Sequence, residues 1–157
     1  MVNIRLLVVG KTKFDWLEQG IGHYQKLLKK HASLDLIVIK DEKVTEAKSR
    51  EMILDKEAER ILRYFDKDFY RIALDAQGEK PSSDDLAKLF SEKMTKGYND
   101  FLFVIGGTLG LSEKVAKNCQ FKLSLSSMTF THQLSRIILL EQVYRAFSIL
   151  KGDRYHK

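Results

Sequence analysis

The stretch Ile4-Arg-Leu-Leu-Val-Val9 and the later stretch Leu34-Asp-Leu-Ile-Val-Ile39 decide the fold class. Both are short, nearly continuous apolar runs, which are typical of strands covered on both faces. Similar runs follow at Phe69–Leu74, Phe101–Ile105 and Phe121–Leu125. Longer stretches with helical spacing separate them, near residues 14–31, 45–64, 83–96 and 112–118, and a last one lies near 131–150. This alternation predicts an α/β fold, a mainly parallel sheet with helices on both faces.

The size and composition of the chain restrict the class of protein. Its 157 residues fit one domain, which we place at residues 1–157. The single Cys excludes an internal disulfide framework and a Cys-rich zinc site, and we predict no metal site. No apolar run approaches the roughly 18 residues of a membrane span, and no signal-peptide pattern is present. We therefore expect a cytoplasmic protein without a membrane partner.

Positive charge is concentrated at the two ends of the chain. The formal net charge is +6, with seven Lys and Arg against three Asp and Glu in residues 1–40, and eight against three in residues 111–157. If the two ends converge, they form a patch that attracts phosphates, although a solvated surface without a partner explains the same charges. The strongly charged stretch near 45–64 has only a narrow apolar stripe and is predicted to be a solvated outer helix.

The last predicted helix has a different character. Between Leu134 and Leu150 its apolar residues spread nearly all round the helix. Such a helix must be covered on every side, either by an unusual inner layer or by a second subunit. We favour a homodimer, because closed twofold pairs are the commonest oligomers.

The loops after the strands are candidate ligand sites, because ligands of α/β sheets bind beyond the carboxyl ends of the strands. Gly10-Lys-Thr-Lys13 lacks the upstream glycine of a phosphate loop. In Leu74-Asp-Ala-Gln-Gly78, Asp75 has the chemistry to bond a ligand hydroxyl or to cap the turn itself. Gly106-Gly-Thr-Leu-Gly110 permits close backbone approach and fits a plain turn as well as a ligand loop.

The loop after the fifth strand and the end of the chain complete the set of candidates. Residues 124–132 combine hydroxyl side chains with apolar ones, which suits a flat heterocycle such as adenine. His132 falls in the first turn of the last helix, where capping or packing is an alternative to catalysis. The tail carries Arg154, Tyr155 and His156, which suit phosphate binding and base stacking, whereas a frayed terminus is the plain alternative.

Four motifs, taken in order, resemble the bacterial RlmH family of SPOUT-class RNA methyltransferases. They are Gly106-Gly-Thr-Leu-Gly110, then Ser126-Ser-Met-Thr-Phe130 with His132-Gln133, then Glu141-Gln-Val-Tyr-Arg-Ala-Phe147, and finally Tyr155-His-Lys157. The resemblance covers essentially the whole chain. It implies a homodimer with a C-terminal trefoil knot that binds S-adenosylmethionine. It also implies methylation of N3 of a pseudouridine in a loop of 23S rRNA, within assembled ribosomes.

The resemblance also implies roles for particular residues. The cofactor-binding set is Leu74, Gly106, Leu125, Ser126, Ser127, Met128, Thr129 and Phe130. The tail residues Arg154, Tyr155 and His156 match the segment implicated in the target site. Because an imide nitrogen must lose its proton before or during methylation, His132 and His156 are candidates for a general base. Arg136 and Arg154 are candidates for a cation that favours the imide anion.

Two positions depart from the pattern of the family. Many relatives carry Pro where this chain has Thr131, and many carry a small residue or Pro where it has Arg154. Two other functions remain open at this point. One is a ribosome-binding or RNA-binding module of the same fold without catalysis, and the other is a flavodoxin-like nucleotide binder.

Overall fold

Strands and helices alternate along the chain as the sequence predicts. The computed structural model describes residues 1–156, with His156 described by its backbone alone. The strands are β1 (Val2–Val9), β2 (Ala32–Ile39), β3 (Tyr70–Glu79), β4 (Asp100–Ile105) and β5 (Phe121–Leu123). The helices are α1 (Asp15–Leu28), α2 (Arg50–Leu62), α3 (Ser83–Thr95), α4 (Glu113–Lys117) and α5 (His132–Lys151), followed by a short 3-10 helix at Arg154–His156.

The five strands form one parallel sheet in the order β2-β1-β4-β3-β5. Side chains of β1 alternate between two apolar clusters, as the two-residue period of a strand requires. Ile4, Leu6 and Val8 pack in the cluster that holds α1, α3 and α5. Leu7 and Val9 pack in the cluster that holds α2 and α4. The prediction of helices on both faces of the sheet is confirmed.

The two largest differences from the predicted boundaries have identifiable reasons. Helix α2 begins at Arg50 rather than near residue 45, because the Ser49 hydroxyl caps it by accepting a hydrogen bond from the Met52 amide. Strand β3 continues past Leu74 to Glu79, where we predicted that it would end. Residues 75–78 bulge out between its two paired parts, and the Asp75 carboxylate caps the bulge by accepting from the Gln77 amide.

Helix α5 is covered largely within its own chain. It packs between α1 and α3, and both helices contact it along its length. Gly20 allows the close approach of α1, since a β-carbon there would lie 2.6 Å from Cδ1 of Ile137. The inference that an all-round apolar helix needs a second subunit is therefore too strong, because two flanking helices and the sheet supply most of the cover.

Candidate active site

The residues predicted to bind the cofactor lie at the carboxyl ends of three adjacent strands. Leu74 of β3 is in register with Leu123, the last residue of β5. Strand β4 pairs with β3 on its other side and leads directly into Gly106. Because parallel strands end at the same edge of a sheet, Leu74, Gly106 and residues 125–130 are neighbours, and we call them the three-strand site.

The glycine loop at residues 106–110 closes tightly on itself. A β-carbon on Gly106 would overlap the carbonyl oxygen of Gly110, so only glycine fits that position. The Gly110 amide donates to the Gly107 carbonyl at 3.0 Å, and Gly110 has a φ of +83°. The loop therefore forms a compact backbone wall beside the three-strand site.

The loop after β5 is held by its own hydroxyl groups. The Ser124 hydroxyl donates to the Ser126 carbonyl, and the Ser126 hydroxyl accepts from the Met128 amide, both at 3.0 Å. Thr131 then caps α5 by accepting from the Leu134 amide at 3.2 Å. Residues 124–131 lie outside helix and strand, so the backbone groups of this loop that make no bond within the chain are of the kind that a ligand can use.

Apolar side chains flank these backbone groups. Leu74, Leu125 and Phe130 are each half-buried, and the first two pack against the main apolar cluster. Apolar walls beside irregular backbone suit a flat heterocycle, as the sequence predicts. Met128 is exposed at the crest of the loop.

One turn of α5 holds the loop between β1 and α1. Arg136 is fully buried, and its Nη2 donates to the carbonyls of Val9 and Gly10, both at 2.9 Å, while its Nη1 donates to the Thr12 hydroxyl at 3.0 Å. Burial lowers the pKa of this guanidinium to about 10. Gln133 accepts from the Lys13 amide and donates to the Lys11 carbonyl. Arg136, a candidate catalytic cation, thus contacts the interior of the chain.

A cavity of about 930 Å³ lies beyond the carboxyl ends of β1, β2 and β4. Residues 107–109 of the glycine loop form part of its wall, so this loop borders both the cavity and the three-strand site. Of the predicted site residues, His132 is the one that lines this cavity. Burial, with the charges of Arg136 and Lys13, lowers the pKa of His132, so its imidazole is neutral near pH 7.

The sequence analysis missed Asp41 and Glu57 as cavity residues. Glu57 is only 5% exposed, although α2 was predicted to be a solvated helix. Its position carries a signal, since it lies midway between Ile53 and Ile61, one turn from each and therefore on the buried stripe.

The tail folds back onto α5. The ring of Tyr155 lies edge-on to Tyr144, with centroids 4.7 Å apart, and the Arg145 guanidinium lies 4.9 Å from its centroid. The Tyr155 hydroxyl donates to Glu141 at 3.3 Å. Glu141 is nine residues beyond His132, about 14 Å along a helix axis. Tyr155 therefore lies away from the three-strand site of its own chain, and the side chain of His156 lies outside the described residues.

Comparisons with known proteins define the class. A family model described as "Predicted SPOUT methyltransferase" matches residues 2–156, and the chain belongs to this family. It is 46% identical to the ribosomal RNA large subunit methyltransferase H of Bacillus pumilus and 44% identical to that of Clostridioides difficile. Each match covers 99% of this chain and 100% of the relative.

Solved structures agree with the fold. The tRNA (m1G37) methyltransferase of Aquifex aeolicus has a TM-score of 0.56 at 14% identity, over 91% of this chain and 69% of that one. A "Probable Methyltransferase" from Bordetella pertussis has a TM-score of 0.58 at 9% identity, over 92% and 93%.

Within residues 1–156, no helix has the length and apolarity that crossing a membrane requires. The same part of the chain holds no group of three or more His, Cys, Asp or Glu placed to bind a metal ion.

Proposed function

We propose that the chain methylates large-subunit ribosomal RNA, and that its target is N3 of a pseudouridine in an unpaired loop of 23S rRNA. Family membership and the names of relatives that match over their full length support rRNA methylation. The observation that carries the proposal is the three-strand site, where Leu74, Gly106 and residues 125–130 meet at one edge of the sheet. Acting on assembled ribosomes in the cytoplasm is part of the same proposal.

The three-strand site has the chemistry to hold S-adenosylmethionine. Leu74, Leu125 and Phe130 would flank the adenine, and the irregular backbone of residues 124–131 would meet its polar edge. Because Gly106 has no side chain, the glycine loop can close beside these residues. When bound, S-adenosylmethionine supplies an electrophilic methyl group, so the reaction needs neither a metal nor a covalent enzyme nucleophile.

The protein's own part is to orient the base and to remove one proton. The N3 proton would pass to a base, and the electron pair left on nitrogen would form the new N–C bond as the bond between the methyl carbon and sulfur breaks and leaves its electron pair on sulfur. His132 suits that role because its lowered pKa keeps the ring neutral. His156 is the second candidate, and Arg154 is the candidate cation for the imide anion. We assign Arg136 a positioning role, since its donors hold the loop between β1 and α1.

The tail is proposed to act in a homodimer, on the site of the other subunit. In one chain Tyr155 contacts α5 near Glu141, far from the three-strand site. An exposed aromatic pair near the start of α1 supports the proposed dimer. Trp16 is 60% exposed there and stacks on the exposed Phe14, with centroids 5.9 Å apart. Exposed aromatic pairs are typical of protein interfaces. A C-terminal trefoil knot is proposed from the family resemblance.

Titration with S-adenosylmethionine in a calorimeter tests the cofactor assignment. We expect Gly106→Ala to weaken binding by about tenfold or more, because a β-carbon there opens the glycine loop. Gly22→Ala is the matched control, since its β-carbon would have no neighbour within 4 Å. A wild-type protein that binds no S-adenosylmethionine would favour the non-catalytic RNA-binding alternative.

A further inference from the structure

The cavity beside the glycine loop has the size and walls of a nucleotide site. Its volume of about 930 Å³ lies in the range of small-ligand pockets. Its apolar wall comes from Val9, Val38, Ile39, Val44, Ile53 and Leu109. Such a wall suits the face of a base that has left its stack.

The charges that line the cavity favour a ligand with a phosphate. Lys11, Lys13, Lys40 and Lys43 face three carboxylates, those of Asp41, Glu42 and Glu57. The negative charge of Glu42 is already balanced by two cations, since Lys48 lies 2.8 Å and Arg60 2.7 Å from its oxygens. These bonds hold the pKa of Glu42 at about 2. Four lysines then face two available carboxylates, so an anionic nucleotide fits better than an amine.

Glu57 places a hydrogen-bond acceptor deep in this cavity. Its Oε2 accepts from the Glu42 amide at 2.9 Å. Its Oε1 lies 3.7 Å from the point where a β-carbon of Gly107 would stand, so it is turned to the glycine loop. The residue is only 5% exposed, and this burial raises the pKa of the carboxyl. A ligand N–H is the natural partner for such an oxygen.

We propose that this cavity receives the target pseudouridine, with Glu57 accepting a hydrogen bond from N1–H of the base. Uridine has no N1–H, because its N1 carries the sugar. Glu57 is thereby a specificity residue, and the neutral His132 on the same lining faces the base whose N3 loses a proton. The inference rests on the proposed function, since it takes a pseudouridine in RNA as the substrate.

Binding of two mononucleotides tests the site without methyl transfer. Pseudouridine 5′-monophosphate should bind the wild type at least about fivefold more tightly than uridine 5′-monophosphate, as one added hydrogen bond to a charged group allows. Glu57→Gln keeps an oxygen for the Glu42 amide and should bring the ratio close to one. Equal affinities in the wild type, an unchanged ratio in Glu57→Gln, or no binding of either nucleotide would overturn the proposal.

A second variant, at the exposed mouth of the cavity, tests where the nucleotides bind. Val38 lines the cavity and is 46% exposed, so Val38→Trp narrows the mouth without disturbing the core. Met52 is also 46% exposed but is outside the lining, and Met52→Trp is its control. We expect Val38→Trp to weaken both nucleotides by about tenfold and Met52→Trp by less than twofold. Wild-type affinity in Val38→Trp would contradict the location.

Methyl transfer to ribosomes that carry uridine or pseudouridine at the target separates this inference from the proposed function. The wild type should favour pseudouridine in kcat/KM, and Glu57→Gln should lose most of that preference while KM for S-adenosylmethionine stays unchanged. If Glu57→Gln keeps the full preference, the role of Glu57 is wrong although the methyltransferase stands. If the wild type methylates neither ribosome, the proposed function itself fails.

Discussion

Arg136 illustrates how burial can give a charged residue a structural task. The sequence makes it a candidate cation for catalysis, whereas its guanidinium is fully buried and donates to Val9, Gly10 and Thr12. Those acceptors end β1 and begin the loop that lines the cavity. The planar, multi-donor geometry of Arg can serve all three at once, and a Lys ammonium cannot.

Arg136→Met should destabilise the protein by about 3 kcal/mol, because it leaves buried carbonyls without donors. That corresponds to a fall of roughly 6–12 °C in Tm for a domain of this size. Arg136→Lys should recover only part of the loss. Lys117→Met is the control, since it removes an exposed ion pair with Glu113 worth about 1 kcal/mol or less. Equal thermal midpoints for the two Met variants would refute the structural role.

At single residues, the sequence predicted contacts with near neighbours best. Ser82 and Asp85 form a capping box at the start of α3, and the left-handed Gly152 ends α5, and each of these features depends on a few adjacent residues. The partners of Arg136 could not be predicted, since they lie more than 120 residues away in the chain. Glu57 was not predicted to be buried, because its charge alone suggests an exposed position. Its spacing from Ile53 and Ile61 places it on the buried stripe.

Among the elements, the contact between α1 and α5 shapes the layer of helices that covers one face of the sheet. Gly20 and Ile137 lie so close together there that a larger side chain at residue 20 would displace its neighbours. The strands were predicted well because continuous apolar runs mark buried strands. The second half of β3 was not predicted, because it depends on a bulge and on a hydrogen bond from the Ser124 amide to the Glu79 carbonyl.

Gly20→Val should cost about 2 kcal/mol, because overpacking between two helices forces α1 away from α5. Gly22→Val is the matched variant two residues further along α1, where a β-carbon has open space. It should change the free energy of unfolding by less than about 0.5 kcal/mol, since Val is no worse than Gly in a helix. Denaturant unfolding of both variants measures the difference, and similar losses would refute this view of the contact.

At the scale of the whole molecule, the tail and the three-strand site lie apart in one chain. The 3-10 helix at Arg154–His156 packs against α5, whereas the proposed cofactor residues lie in β3, directly after β4 and in the loop that precedes α5. The sequence predicted both groups of residues but not their separation, which depends on the direction in which α5 carries the chain. The proposed homodimer, in which the tail of one subunit acts on the site of the other, would account for this separation.

Mixed dimers test this arrangement. Gly106→Ala weakens the proposed cofactor site and Tyr155→Ala alters the tail, so each homodimer should have little activity when S-adenosylmethionine is kept well below the dissociation constant of the Gly106→Ala variant. Coexpression should restore about a quarter of wild-type activity, because half of the dimers are mixed and each mixed dimer has one intact site. A mixture as inactive as its two parents would place the tail and the site on the same chain.

Methyl transfer from radiolabelled S-adenosylmethionine to ribosomes that lack the modification tests the central claim most directly. We expect one methyl group per large subunit, on N3 of a pseudouridine in an unpaired rRNA loop, and much slower transfer to protein-free rRNA. A small domain has little surface for reading a long RNA and depends on the shape of the assembled particle. Label on another base, or no label from a protein that binds S-adenosylmethionine, would contradict the account.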